Sequence, residues 1–184
     1  IIITNIEASM CIEKMTEPYA GKVIRTKVGD VNVANAIKQC KAIFGGEPCG
    51  AWIHPKFHYC PDGILSSVLL LKALEEENRS LSSFVSQAPL YPTLRRNLTC
   101  PEQNKPTVMK KLENTLPTAF SQVREKVTID GIRLTLENGW ILVRPSGTEP
   151  LIRITVEADS KQRAREIMKK GVKTVEKTIK ETVR

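Results

Sequence analysis

The chain has 184 residues, 41% of them hydrophobic and 26% charged, with ten glycines and eleven prolines; it can bury a real core, and disordered, collagen-like and coiled-coil classes are excluded. No apolar run approaches the roughly 20 residues of a membrane span, and Ile1 to Ser9 lacks the basic start and cleavage pattern of a signal peptide. The formal charge of +8 invites an anionic partner, yet residues 161–184 alone hold nine basic side chains against three acidic, so one terminal segment carries most of it.

In chain order, Ile1 to Thr4 reads as a buried strand with nothing before it, and since Ile1 is not a methionine the sequence reads as a piece of something longer. A helical stretch, Ala8 to Met15, and a second short strand, Lys22 to Arg25, complete a strand–helix–strand rhythm of the parallel-sheet kind. Gly29-Asp30 marks a loop, and Val31 to Gln39 is helical, with Val33, Ala34, Ile37 and Cys40 spaced for a buried stripe. A strand, Ala42 to Phe44, stops at Gly45-Gly46. After a loop over His54 to Pro61, Asp62 stands at the N-cap of a helix running to Leu74 that is apolar almost all round and therefore predicted to be buried. Residues 86–106 contain four prolines and no sustained periodicity, which places a domain boundary near residue 98: an α/β domain over 1–98 and a second domain over 99–184.

The second half opens with a short helix, Thr107 to Leu116, and turns to strands: Lys126 to Ile129, Ile132 to Leu136, and, after the hairpin signal Asn138-Gly139, Trp140 to Arg144. Leu151 to Ala158 alternates again, so the expectation is an antiparallel sheet packed by helices. Ser160 caps a final helix whose apolar stripe runs through Ala164, Ile167, Met168, Val172, Val175, Ile179 and Val183, leaving its cations mostly on the exposed side.

Between the last two strands lies Arg144-Pro145-Ser146-Gly147-Thr148-Glu149-Pro150. It offers a guanidinium fork, two hydroxyls and a glycine-bent backbone whose amides can converge, with two prolines limiting its conformations, which are the parts of a phosphate cradle. The plainer alternative is a rigid hairpin turn with an exposed arginine.

This loop, with the strand Leu151 to Ala158, resembles the phosphate-binding loop and next strand in the C-terminal domain of the α-D-phosphohexomutases, the family of phosphoglucomutase, phosphomannomutase and phosphoglucosamine mutase. Gly45-Gly46-Glu47-Pro48-Cys49-Gly50-Ala51 followed by Asp62-Gly63 is similar to that family's sugar-recognition loop and the helix after it, and Thr26 to Asp30 resembles the loop just upstream. The resemblance spans essentially the whole chain as domains three and four of a four-domain enzyme. It implies an α/β third domain with a mixed or parallel sheet and helices, and a fourth domain of the α+β, TATA-box-binding-protein-like kind. It also implies sugar contacts from Glu47, Cys49, Lys27 and Asp30, and phosphate contacts from Arg144, Ser146, Gly147, Thr148 and Arg153. A turn carboxylate that steadies a neighbouring strand is the plainer reading of Glu47.

Cys49 and Ala51 stand where serine and histidine are usual in the family, and both changes remove hydrogen-bonding capacity. The family's phosphoserine loop and its Asp-rich magnesium loop are absent, since Asp62-Gly63 and Asp130-Gly131 are the only Asp-Gly pairs and neither is followed by a second aspartate. The resemblance therefore implies a chain that binds and does not catalyse. Its parent would interconvert hexose 6- and 1-phosphates through a hexose 1,6-bisphosphate, with Mg2+ and the phosphoserine in domains one and two, the natural partners of this chain.

Five scattered cysteines without a secretory signal fit a reducing cytosol better than a disulfide framework. His54, His58 and Cys60 lie close together, but not at a zinc spacing. The rival function is a basic anion- or nucleic-acid-binding module that uses the C-terminal helix. Few aromatics interleave with its charges, so a solvated face is the stronger reading and a nucleic-acid partner is not expected.

Overall fold

The computed structural model describes residues 1–183 and divides into two compact units, Ile1–Leu90 and Tyr91–Arg184. The first runs β1 (Ile2–Asn5), α1 (Cys11–Thr16), β2 (Val23–Thr26), α2 (Asp30–Cys40), β3 (Phe44–Gly46), β4 (Trp52–Ile53), α3 (Gly63–Glu76) and α4 (Leu81–Val85). Its sheet has the order β2-β1-β3-β4; β2 and β3 flank β1 in parallel, and β4 returns antiparallel to β3. The core is small: Ile3, Val33, Ile37, Ala42 and Ile53 pack α2 against one face of the sheet. The glycine pair lies inside β3 instead of ending it, because a Cβ at Gly45 would come within 2.6 Å of the Ile37 Cδ1 that fills this core.

The expectation that α3 is buried is corrected. Only Ser66 of that helix is buried, while Ile64, Val68 and Leu71 are among the exposed large apolar residues. An apolar surface on all sides creates a demand for burial that only a packing partner can meet, and the unit's core does not reach this helix. Its first turn is well fixed, however. Asp62 accepts the Leu65 amide at 2.8 Å, Ser66 Oγ donates to the Asp62 carbonyl at 2.6 Å, and His54 and His58 are spent on Ser66 (2.8 Å) and Asp62 (3.1 Å). No helix among the described residues is long and apolar enough to cross a membrane.

The second unit holds β5 (Thr93–Thr99), α5 (Lys105–Thr118), β6 (Val123–Val127), β7 (Ile132–Leu136), β8 (Gly139–Pro145), β9 (Leu151–Ala158) and α6 (Lys161–Val183). Its five strands form an antiparallel sheet in the order β5-β9-β8-β7-β6. The sequence gives no sign of β5, whose arginines and asparagine interrupt any alternation. Because Thr93 to Thr99 pairs residue for residue with Glu157 to Leu151, the division between units falls at Leu90/Tyr91 and not near residue 98. The hairpin turn is Glu137-Asn138, with Gly139 already in β8 opposite Leu136. α5 and α6 cover one face, and the core runs through Val108, Leu112, Leu116, Leu134, Ile141, Val143, Ile154, Val156 and Val175. On the other face, buried Trp140 donates to Glu157 Oε1 at 2.9 Å and carries the Arg133 guanidinium 3.9 Å above its ring, which accounts for two charged side chains at low exposure.

Two outcomes follow from this packing. Gly171, mid-way along α6, sits directly over Ile141, so an added Cβ would collide with that side chain. A glycine-to-alanine change inside a helix ordinarily gains about 1 kcal/mol, whereas Gly171→Ala is expected to lower stability by about 1 kcal/mol through overpacking; a thermal or urea melt measures the sign. The Asp62 carboxylate lies below its ordinary value of 3.8, chiefly because it accepts the Leu65 N–H, with His58 also favouring the charged form. A depressed carboxylate stabilises above its unfolded pKa and loses that contribution as pH falls below about 3.8. Asp62→Ala should therefore lower helix stability at pH 7, and the difference should shrink as pH falls below 3.8, as followed by circular dichroism melts.

Candidate functional site

In the first unit the parallel strands β1, β2 and β3 end on the same side of the sheet, the side where open α/β sheets gather their ligands. Asn5 ends β1, the 27–29 loop follows β2, and Glu47 follows β3. These three segments are joined at one atom. Glu47 Oε1 accepts the Asn5 side-chain amide and the Gly29 backbone N–H, both at 2.8 Å. Glu47 is buried, at 7% exposure, and its Oε2 has no partner among the described residues, so one oxygen holds the frame and the other keeps its capacity to accept a hydrogen bond. Asn5, 2% exposed, is itself fixed, since its Oδ1 accepts the Glu7 N–H at 2.9 Å.

The 47–51 turn is a tight reversal between β3 and β4, closed by Glu47 N to Ala51 O at 3.2 Å and Gly50 N to Glu47 O at 3.0 Å. Beside it opens a cavity of about 270 Å³ bordered by Ile2, Thr4, Phe44, Glu47 and Trp52 and mostly apolar. Of the other sugar-contact candidates, Cys49 is an exposed free thiol in the turn and Lys27 is exposed in the loop whose Gly29 binds Glu47. Asp30 is exposed too, and its Oδ1 accepts the Val31 N–H at 2.9 Å at the start of α2. Sequence reasoning missed Asn5. Its only signal was a short amide-bearing residue at the end of the first strand.

In the second unit the 146–150 loop joins β8 to β9. Arg144 and Arg153 are direct cross-strand partners at its base, so two guanidinium groups flank one bend. Arg144 Nε donates to Asp130 Oδ1 at 3.0 Å, and Arg153 donates to Glu149 Oε2. Ser146 is buried and turned into the loop, where its Oγ accepts the Thr148 and Glu149 amides at 3.4 and 3.2 Å. Its hydroxyl hydrogen is left to donate, but its first effect is to fold the loop. Gly147 and Thr148 form the exposed tip; the Gly147 N–H and the Thr148 hydroxyl have no partner among the described residues. The loop is closed by Ser146 N to Leu151 O at 3.0 Å and tied to the start of the unit by Cys100 N to Pro150 O at 2.9 Å. Burial pushes the Cys100 thiol pKa up, so this sulfur stays protonated and inert.

Comparison with known proteins settles the descent of both loops. The model of the phosphoglucomutase/phosphomannomutase alpha/beta/alpha domain III matches residues 1–91, and that of the phosphoglucomutase/phosphomannomutase C-terminal domain matches residues 97–173. The chain belongs to the phosphoglucomutase/phosphomannomutase family. Within it, the chain is 48% identical over 180 residues to a probable phosphoglucosamine mutase of Methanopyrus kandleri, covering 98% of this chain and 39% of the relative. It is 44% identical over 178 residues to the phosphoglucosamine mutase of Methanococcus vannielii, covering 97% and 40%. The chain thus spans about two fifths of the length of these relatives. Its fold matches a phosphoglucomutase/phosphomannomutase family protein of Burkholderia thailandensis with a TM-score of 0.83 at 22% identity, covering 96% of this chain and 37% of that one.

Among the described residues there is no group of three or more His, Cys, Asp or Glu that could hold a metal ion.

If Asn5 is what aims Glu47, Asn5→Ala should leave Oε1 with a single donor and lower the unfolding free energy by about 1–3 kcal/mol. A urea melt gives the loss, and faster exchange of the Gly29 amide, read by NMR, locates it at this junction.

Proposed function

We propose that the chain is the sugar- and phosphate-binding C-terminal part of a phosphohexomutase, with a hexosamine phosphate as substrate, in which each unit supplies one half of the recognition. The first unit grips sugar hydroxyls through Glu47, with Cys49, Lys27 and Asp30 around it. The second holds the phosphate that is not being transferred, through Arg144, Ser146, Gly147, Thr148 and Arg153. The observation that carries the reading is the exposed loop tip: one unpaired backbone N–H and one unpaired hydroxyl between two arginines drawn from adjacent strands. The names of the archaeal relatives support the hexosamine choice.

The parent reaction moves a phosphoryl group between the 6- and 1-positions of one sugar through the 1,6-bisphosphate. The sugar must present each end in turn to one phosphoserine, so the distal anion site has to accept phosphate in two orientations. A cradle of cations, a hydroxyl and an amide serves this better than a shape-specific pocket, because it reads charge and leaves the sugar's direction open. Phosphoryl transfer depends on positioning and electrostatic stabilisation, both of which this chain would provide while the transferring serine and the metal come from the rest of the parent. The chain alone is then a binding module without turnover. Arg144 also has to leave or share Asp130 when phosphate arrives, an exchange of one anionic acceptor for another.

Titrating the chain with glucosamine 6-phosphate should shift the amide resonances of Gly147 and Thr148 and slow alkylation of the exposed Cys49. Arg144→Ala should weaken binding about tenfold or more. Shifts confined to Lys169 through Lys180, stronger with an oligonucleotide and collapsing with salt, would instead establish the basic helix as the functional surface.

A further inference from the structure

The phosphate loop has a floor that its own sequence does not contain. Lys105, the first residue of α5, lies forty-one positions before Ser146 and is 4% exposed. Its Nζ donates to the Ser146 carbonyl at 2.6 Å, the Glu149 carbonyl at 2.5 Å and Glu102 Oε2 at 2.5 Å. An ammonium group has three N–H bonds, and all three are used. None is left for a ligand.

We propose that Lys105 is the positioning residue of the anion site, acting on the ligand only through the loop; the inference rests on the phosphate reading above. Desolvating an ammonium is costly unless every proton finds an acceptor, and here two of the three acceptors are carbonyls on either side of the loop tip. Drawing both carbonyls inward removes their negative ends from the surface where an anion would sit. With Thr148 N and Glu149 N turned back onto Ser146 Oγ, the Gly147 N–H is what the tip presents outward. The buried positive charge also stands behind the tip, where solvent screens it poorly. Glu102 pairs with this ammonium at 2.5 Å and offsets much of its charge, so Lys105 acts on the tip chiefly by holding the two carbonyls.

The test uses the 184-residue chain, inorganic phosphate as probe, and three variants. Lys105→Met should bind phosphate at least tenfold more weakly, by the Gly147 amide shift, and should lose exchange protection at the Ser146 and Leu151 amides while α6 keeps its own. Lys105→Arg, which retains charge and donors, should recover most of that loss. Glu102→Gln, which keeps an acceptor for the ammonium and removes a negative charge, should bind no more weakly than the unaltered chain. Equal affinity in Lys105→Met, or a Lys105→Arg no better than Lys105→Met with α6 protection intact, overturns the inference while leaving the phosphate reading standing. No response of Gly147 to phosphate in the unaltered chain overturns both.

Discussion

A loop that offers hydrogen-bond donors to an anion has to dispose of its own carbonyl oxygens somewhere else. In the second unit that constraint is met from behind: Cys100 N takes the Pro150 carbonyl, Leu151 N takes that of Glu149, and Lys105 takes those of Ser146 and Glu149. The mirror arrangement holds in the first unit, where the group left over is an acceptor. Glu47 commits one oxygen to Asn5 and Gly29 and so fixes the direction of the other. Each site is thus a pair of faces, an inner one saturated by the protein and an outer one left incomplete, and the inner face gives the outer one its geometry.

These inner faces explain what the sequence could and could not reveal. The outer residues cluster in two short runs, 45–51 and 144–150, whose glycines, prolines and hydroxyls form recognisable patterns. The inner partners come from far away in the chain, Asn5 forty-two positions from Glu47 and Lys105 forty-one from Ser146. A lysine before a proline at the start of a helix looks like any solvated cation, and nothing local marks it as buried. The same limit explains the strand at 93–99. Its two apolar residues, Leu94 and Leu98, pack on the core while Arg95, Arg96 and Asn97 are exposed, so an edge strand reads as a polar linker until its partner is known. The elements with clear periodicity were legible for the opposite reason: α2, α6, β7 and β9 each carry their burial pattern within their own residues. α3 shows where periodicity misleads, because an apolar helix surface records a need for cover without supplying it.

The net charge teaches a related lesson. Most of the chain's positive balance lies on α6, where Lys169, Lys173, Lys177 and Lys180 are exposed and mobile counterions can screen them within about 10 Å. A groove between α6 and β5 gathers Arg95, Arg96, Arg165, Lys169 and Lys173 over Leu94, Met168 and Val172, yet these cations are exposed, and their hydrogen bonds to an anion would compete with water. Lys105 is one cation against many and is paired with Glu102, but it is held out of water and pinned at three points, so the two loop carbonyls it holds are fixed in direction. Recognition of a small doubly charged group depends on where charge and donors are held relative to one another, so the proposed anion site would draw more on a single buried ammonium that organises a five-residue bend than on a helix face of solvated lysines.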